Sequence, residues 1–173
     1  ILGPDKDVAA PDMGTNSQVM AWMFKRYTEL FADSTIPGIV TGKPVELFGS
    51  HGRTEATGFG LALCTNQVFP LAGARVAVQG FGNVGMYAAL KAHEMGATVI
   101  ALADPIVFGG TLYQPDGYAA VKECKGRPGQ IHKANRAVDD VLEIECDVLM
   151  PCARENVLHA SNAGAVRATK RTL

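Results

Sequence analysis

The sequence predicts an α/β fold built on a parallel sheet, and three observations carry this prediction. A β-type run, Val76–Gln79, passes through a glycine-rich turn into a helical pattern. A second apolar run, Ala97–Ala103, follows that helix and has the two-sided hydrophobic character of a buried parallel strand. Strand, helix and strand in this order form a right-handed βαβ unit. The composition agrees, because 47% of the 173 residues are hydrophobic and 19 are glycine.

The turn between the first strand and its helix is the main candidate site. It has the pattern G-x-G-x-x-G in the context that makes this pattern informative, with a strand before it and a helix after it. In such a turn the first glycine permits the sharp bend, the second lets a pyrophosphate approach the backbone, and the third lets helix and strand pack closely. The helix N-terminus adds N–H donors for an anion. The candidate dinucleotide-binding residues are Gly80, Phe81, Gly82, Asn83, Val84 and Gly85. The alternative is a glycine-rich turn that binds nothing. The predicted fold is therefore a Rossmann-like parallel sheet with helices on both faces.

Asp104 stands at the end of the second strand, where an acidic residue would bind an adenosine ribose. An acid at this position favours the 2′-hydroxyl of NAD over the 2′-phosphate of NADP, so NAD is slightly favoured. The stretch 106–110 is glycine-rich and could reverse this preference through its side chains. A second interpretation is that Asp104 only caps the turn before Pro105.

The segment before the glycine-rich turn is predicted to be the end of a second α/β domain. Apolar residues at i, i+3 and i+4 spacing predict an amphipathic helix from Asn16 to about Phe31, capped by Thr15 or Asn16. Val45–Phe48 is a short candidate strand. A further helix is predicted from about Glu55 to Phe69. We expect a domain boundary after residue 52, so that 1–52 ends one domain and 53–173 forms an incomplete dinucleotide-binding domain.

The helix after the glycine-rich turn is predicted to run from Asn83 to about Met95. Gly96 is its expected C-cap. The predicted elements that follow are a hairpin-like loop over 105–117, a short helix over 118–125, a polar connection over 126–135, a strand over 145–150 and a helix over 161–168. Residues 170–173 are expected to have no packing partner.

Charge and composition exclude several classes of protein. The net charge is −1, from 16 basic and 17 acidic residues, which argues against nucleic-acid and membrane-surface partners. No apolar run reaches the roughly 18 residues of a membrane span, and no signal peptide is visible at the start. The four cysteines form no C-x-x-C pair, so we expect reduced thiols in a cytoplasmic protein. The four histidines lack metal-ligand spacing, so no metal site is predicted.

Two further segments carry residues that could act on a substrate. Asp12 lies in a tight loop before a helix and could serve as a general acid and base if burial or a partner tunes it. From the residues alone, a helix-initiating Asp is the stronger interpretation. Arg53 and Thr57 lie at the start of a helix that should pack beside the Val76–Gln79 strand. There they could contact a phosphate or a carboxamide. Ordinary helix capping is an equally good interpretation of these two residues.

Five segments in this order resemble the Glu/Leu/Phe/Val amino-acid dehydrogenase family. They are Ala-Pro-Asp-Met-Gly-Thr-Asn at 10–16, Thr-Gly-Lys-Pro at 41–44, Gly-Arg-Thr-Glu-Ala-Thr-Gly at 52–58, Val-Gln-Gly-Phe-Gly-Asn-Val-Gly at 78–85 and Pro-Asp-Gly-Tyr at 115–118. The second and third segments are similar to those of the glutamate branch. The resemblance implies oxidative deamination of L-glutamate to 2-oxoglutarate and ammonia, with hydride transfer to NAD or NADP, by a homo-oligomer that is usually a hexamer.

The resemblance also implies roles for individual residues. Asp12 matches the family's catalytic aspartate, and Arg53 and Thr57 match cofactor contacts. The residues of the 80–85 turn and Asp104 match the dinucleotide site described above. Ala153 and Asn156 fall in a loop where the family has nicotinamide contacts.

The chain departs from the family pattern in ways that bear on its activity. The family's lysine-bearing segment lies upstream of the Pro-Asp motif, and no lysine of this chain can be given that role. Phe48 and His51 stand where Gly and Leu are usual, and Cys152-Ala153-Arg154 replaces an Ala-Ala run. We therefore expect an internal piece of a longer enzyme that is inactive by itself. The alternatives are a non-catalytic dinucleotide-binding or assembly module, and a dehydrogenase for Leu, Phe or Val.

Overall fold

The structure is a computed structural model of the chain, and it describes residues 3–31, 36–113 and 134–172. The chain forms two compact units, Ile1–Thr54 and Glu55–Leu173. In the described residues no helix is long and apolar enough to cross a membrane. Three cysteines lie in the described ranges, Cys64, Cys146 and Cys152, and none of the three is in a disulfide there.

The first unit is organised around one helix, α1 (Ser17–Phe31). Asn16 caps this helix, because its Oδ1 accepts hydrogen bonds from the backbone N–H groups of Gln18 and Val19 at 3.0 and 3.1 Å. The helix buries its apolar face against the segment that follows it, and the cluster contains Met20, Phe24, Ile39 and Val40. The sequence prediction of this amphipathic helix is confirmed.

The predicted strand at Val45–Phe48 is wrong. Val45–Leu47 forms a 3-10 helix, and a second 3-10 helix covers Pro37–Ile39. Pro44 O accepts hydrogen bonds from Leu47 N and Gly49 N, which closes the chain into a tight turn. The backbone of this run therefore forms local turn hydrogen bonds and does not pair with a neighbouring strand, although Val45 and Phe48 are residue types that favour strands.

The second unit contains a five-stranded sheet in the order β3-β2-β1-β4-β5. Its strands are β1 (Arg75–Gln79), β2 (Thr98–Asp104), β3 (Gly110–Tyr113), β4 (Cys146–Pro151) and β5 (Ala168–Thr172). β1 pairs in parallel with β2 and β4, and β4 pairs in parallel with β5. Only β3 is antiparallel to its neighbour, as the predicted hairpin-like loop requires. The glycine-rich turn thus follows the central strand.

Both faces of this sheet are covered, which confirms the predicted α/β architecture. The side chains of Val76 and Val78 belong to a core shared with α2 (Arg53–Val68) and α3 (Asn83–Glu94). Ala77 points to the opposite face, where it joins residues of a 3-10 helix, Val138–Glu143. The alternation along β1 is the period of two that separates the faces of a strand.

The predicted helix over 161–168 is wrong, and so is the expectation that residues 170–173 lack a packing partner. Only Ala163–Ala165 is helical, as a 3-10 turn, and β5 then adds a parallel strand beside β4. Arg167 N donates to Leu142 O, which directs the chain to the sheet edge. Pairing with the sheet therefore overrides the helical propensity of the alanines here. The predicted helix over 118–125 lies outside the described residues, as do parts of the segments 105–117 and 126–135.

Candidate dinucleotide site

Gly80 makes the sharp turn at the end of β1. Its φ is +89°, a backbone conformation that residues other than glycine rarely adopt. A Cβ on Gly80 would lie 2.6 Å from the Cα and N atoms of Ala153, so the loop after β4 packs directly on this glycine. Cys152 N donates to Gln79 O at 2.6 Å and fixes the ends of the two strands together. Glycine is thus required here by the fold itself.

Gly85 is also required by the fold. A Cβ at this position would lie 1.8 Å from Gly80 O and 3.3 Å from Cys152 Cβ. The first turn of α3 therefore passes against the end of β1 with no room for a side chain. This is the close helix–strand contact that the third glycine of the motif permits.

Gly82 differs from both of these glycines. Its φ and ψ are −75° and −160°, which any residue can adopt. Among the described residues, no atom beyond its chain neighbours lies within 4 Å of the position of a Cβ. Neither backbone strain nor packing explains a glycine at this point. The open space in front of Gly82 is what an approaching pyrophosphate would occupy, so the residues present fit a dinucleotide.

The N-terminus of α3 adds positive potential to the same spot. Gly82 is the N-cap of this helix, and no side chain caps it. The helix is 12 residues long, so its dipole and first N–H groups face the space in front of the turn. Val84 is half-buried, whereas Gly82 and Asn83 are exposed. The turn therefore offers backbone donors to an anionic group.

Asp104, at the end of β2, contacts the turn directly. Its Oδ2 accepts a hydrogen bond from Phe81 N at 2.9 Å. Its Oδ1 accepts from Ile106 N and Val107 N, each at 2.9 Å. The carboxylate thus caps a turn, as the second interpretation of the sequence held, but this turn begins at Pro105 and does not precede it. The carboxylate also holds the glycine-rich turn.

The loop after β4 lies against the same turn. Ala153 packs on Gly80, and burial raises the pKa of the neighbouring Cys152 thiol to about 12. Asn156 is exposed and has a φ of +57°, a left-handed conformation that asparagine tolerates better than most residues. The structure therefore brings Ala153 beside the 80–85 turn and leaves Asn156 further along the same loop.

The helix α2 packs closely on the first turns of α3. A Cβ on Gly58 would lie 2.5 Å from Val84 O and 2.7 Å from Ala88 N, so the two helices approach to backbone contact. Further along, the rings of Phe59 and Tyr87 pack edge to face at 5.9 Å. Thr57 is exposed and precedes the contact glycine by one residue. The structure thus shows Gly58, and not Thr57, at the contact between the two helices.

Arg53 lines a pocket of about 470 Å³ in the first unit. Lys43 and the aromatic ring of Phe48 also line it. The Lys43 ammonium is 8% exposed and donates to the carbonyl oxygens of Pro37 and Val40. Burial lowers the pKa of Lys43. Arg53 is half-buried, so the pocket wall carries two cationic side chains.

Asp12 is exposed and lies in a tight turn with Thr15. Met13 N donates to Asp12 Oδ1 at 2.7 Å, and Thr15 Oγ1 donates to Asp12 O at 2.7 Å. The cap of α1 is Asn16, so Asp12 does not initiate that helix. The carboxylate is held at the surface by a local turn and keeps Oδ2 available.

Comparisons with known proteins agree with this geometry. The family model for Glutamate/Leucine/Phenylalanine/Valine dehydrogenase matches residues 49–171, and the model for the dimerisation domain of the same family matches residues 1–29. The chain belongs to the Glu/Leu/Phe/Val dehydrogenase family. This confirms the resemblance drawn from the sequence motifs.

Several relatives with 34–42% identity to this chain are glutamate dehydrogenases. The chain is 40% identical to the cryptic catabolic NAD-specific glutamate dehydrogenase GudB of Bacillus subtilis, and 42% identical to the glutamate dehydrogenase of Thermotoga maritima, each across 97% of this chain. The hetero-hexameric glutamate dehydrogenase of Thermus thermophilus, crystallised in a Leu-bound form, superposes with a TM-score of 0.82 at 36% identity over 96% of the chain. The chain spans about 41% of the length of these proteins.

Sequence reasoning missed two residues that shape this member of the family. Gly58 was read only as the end of a motif, yet it sets the contact between α2 and α3. The sequence signal for Gly58 is an isolated glycine inside a predicted helix, which often marks a close contact of the backbone with a neighbouring element. Lys43 was read only as part of a family motif, yet it is a buried ammonium bonded to two carbonyl groups. Sequence patterns give no signal for such a bond.

Proposed function

We propose that this chain is part of a glutamate dehydrogenase, an enzyme that oxidatively deaminates L-glutamate to 2-oxoglutarate and ammonia with NAD or NADP, NAD being favoured. The observation that carries the proposal is the open backbone at Gly82 between two glycines that the fold requires. A turn of this shape at a helix N-terminus suits the pyrophosphate of a dinucleotide. The names of the NAD-specific relatives support the choice of coenzyme.

We assign each candidate residue a role in coenzyme binding or proton transfer. The 80–85 turn binds the pyrophosphate, and Asp104 lies toward the adenosine ribose. Arg53, Thr57, Ala153 and Asn156 contact the rest of the coenzyme, which accepts the hydride. Asp12 moves protons to and from the amino group and the attacking water; Oδ2, which Met13 N does not occupy, suits that role. The segment 1–52 belongs to the substrate domain and 53–173 to the coenzyme domain.

Coenzyme binding can be tested with a matched pair of glycine variants. Neither Gly82 nor Gly60 has an atom within 4 Å of a Cβ position, so both accept a side chain without a clash. At a concentration of 100 times Kd, NAD should stabilise the wild-type chain by about 2.7 kcal/mol. Gly82→Val should abolish the NAD-induced rise in Tm, and Gly60→Ala should keep it. An equal rise in the wild type and Gly82→Val, or no rise with millimolar NAD and NADP, contradicts the proposal.

Catalysis by the 173 residues alone is expected to be negligible. The resemblance expects a lysine upstream of Asp12, and Lys43 cannot replace it because its ammonium is buried and bonded to carbonyl groups. Residues that act as one unit lose most of their rate when one is missing. The purified chain should show no increase in absorbance of reduced coenzyme with glutamate and NAD or NADP. Turnover at an enzyme's usual rate would show that the lysine is dispensable.

The alternatives drawn from the sequence were a non-catalytic dinucleotide-binding or assembly module and a dehydrogenase for Leu, Phe or Val. The similarity to glutamate dehydrogenases does not favour either of them.

We further propose that the protein is a homo-oligomer, with six subunits as the expected number. The match to a dimerisation-domain model and a hetero-hexameric relative support this. Apolar side chains on α1 remain exposed within one chain, with Trp22, Leu30 and Phe31 between 59 and 63% exposed. Light scattering coupled to gel filtration measures the subunit number, and a monomer at micromolar concentration contradicts the proposal.

A further inference from the structure

The carboxylate of Asp104 is almost fully occupied by the protein itself. A carboxylate offers about four lone-pair sites. Three of them accept backbone N–H groups in this structure: Phe81 N at Oδ2, and Ile106 N and Val107 N at Oδ1, all at 2.9 Å. About one site is left, so Asp104 can accept from at most one ribose hydroxyl group.

These bonds join two segments, the glycine-rich turn and the loop after β2. Phe81 is the residue between the first two glycines of the turn, and Ile106 and Val107 lie in the loop after β2. A second contact joins the same segments, because the rings of Phe81 and Phe108 lie 5.2 Å apart and both are buried. Gly80 N also donates to Ala103 O at 2.7 Å. The turn is thus held to the end of β2 at three successive points.

We propose that Asp104 is a positioning residue of the dinucleotide turn: its carboxylate holds Phe81 N and thereby fixes the backbone around Gly82 before any pyrophosphate binds. This inference rests on the proposed dinucleotide function. It assigns to Asp104 an effect on the phosphate end of the ligand, which a ribose contact alone would not produce. An ordered turn binds more tightly because no part of the binding free energy is spent on ordering it.

Asp104→Asn tests the role with little change in shape. The amide has one acceptor oxygen, and its NH₂ group cannot accept from an N–H. The variant therefore loses either the bond from Phe81 or the bonds from the 106–107 loop. Asp147→Asn is the matched control, because Asp147 Oδ2 accepts from Arg75 N at 2.9 Å at the opposite end of β1.

The first measurement is amide hydrogen exchange of Phe81 by NMR, without ligand. A hydrogen bond to a charged acceptor protects an amide, so Asp104→Asn should speed the exchange of Phe81 by about 10- to 100-fold. Asp147→Asn should leave that rate unchanged. Asp104→Ala removes all three acceptor contacts and should also speed the exchange. An unchanged Phe81 rate in both Asp104→Asn and Asp104→Ala would mean that the carboxylate does not hold the turn, and it overturns the proposal.

The second measurement compares ADP with 2′,3′-dideoxy-ADP, which keeps the diphosphate and lacks both ribose hydroxyl groups. Asp104→Asn should weaken both ligands by the same factor, about 10-fold, because binding must then order the turn. Asp147→Asn should leave both affinities unchanged even if it lowers Tm. Loss of ADP affinity with unchanged dideoxy-ADP affinity would assign Asp104 to the ribose alone and overturn the proposal. If the wild type binds neither compound, the dinucleotide function itself fails, and this inference with it.

Discussion

The two compact units are stabilised in different ways. The second unit has a five-stranded sheet with an apolar core on each face, and its tightest backbone contacts gather around Gly58, Gly80 and Gly85. The described part of the first unit has one α-helix, two 3-10 helices and a small apolar cluster. Its special positions are the buried Lys43, bonded to two carbonyl groups, and Gly49, where a Cβ would meet the backbone oxygen of Lys43.

This difference separates two ways of specifying structure. Repeated apolar patterns specify the second unit, so most single changes there should be absorbed, apart from those at the helix–strand contact. The first unit has a smaller apolar cluster and depends more on individual hydrogen bonds, so its stability should depend on particular residues. Variants in both units test that distinction.

Gly85→Ala should give the largest loss. Its Cβ would lie 1.8 Å from Gly80 O, and backbone cannot move aside cheaply. We expect a loss of about 4 kcal/mol in the free energy of unfolding or failure to fold. Gly60→Ala in α2, where a Cβ meets nothing, should instead stabilise by about 0.5–1 kcal/mol. Urea denaturation followed by circular dichroism measures both. A loss below 1 kcal/mol for Gly85→Ala would show that the contact is not tight.

Lys43→Met should cost about 2 kcal/mol, because two carbonyl groups lose a charged donor inside the first unit. Lys25→Met is the control, since the Lys25 side chain is 77% exposed and forms an ion pair with Glu29 on the surface of α1. The control should change stability by less than about 0.5 kcal/mol. Thermal unfolding measures the difference. A more stable Lys43→Met would mean that the cost of burying the ammonium exceeds the value of its two bonds.

Cys152 should give the second unit a stability that falls at high pH. Burial raises the pKa of this thiol from 9.0 to about 12. The folded state therefore keeps the proton when the unfolded state loses it, so the contribution is complete below pH 9 and declines as pH rises toward 12. Between pH 8 and pH 10 we expect Cys152 to contribute a decline of about 1.4 kcal/mol, which Cys152→Ala removes. Burial also raises the pKa of the Cys146 thiol, to about 11, so a separate decline from Cys146 should remain in that variant. Cys64→Ala, which changes an exposed thiol, should leave the decline in place. Denaturant titrations at several pH values measure it, and identical slopes for wild type and Cys152→Ala contradict it.

Phe48→Gly should give the smallest effect, and it should be stabilising. Phe48 has a φ of +66° and is 66% exposed, so glycine relieves left-handed strain and loses little burial. The edge contact of its ring with Phe24, at 6.3 Å, offsets part of the gain. We expect a net gain of about 0.5 kcal/mol. Phe48→Ala keeps the strain and loses the ring, so it should destabilise. If both variants destabilise, the ring contact outweighs the strain.

More of the second unit than of the first was predicted from the sequence, because repeated apolar patterns specify most of its strands and helices. β1, α3, β2 and β4 follow from apolar period and turn residues, and each was predicted to within one or two residues. The sequence also indicated the 80–85 turn as the site, since glycine spacing reports backbone geometry directly. Val45–Leu47 and the end of the chain were predicted wrongly, because Pro44 O and the edge of β4 decide their conformation.

The sequence by itself determined the α/β class, the order of the central elements, the glycine turn and the family, because these depend on local period and on residue types at fixed spacing. The tertiary structure decided that packing requires glycine at Gly80 and Gly85 and that Gly82 leaves open space for a ligand. It also decided that Asp104 holds the turn, that Lys43 is buried against carbonyl groups and that 168–172 joins the sheet. These facts depend on contacts between residues distant in the chain or on backbone conformation at single positions, and neither is written in a local pattern.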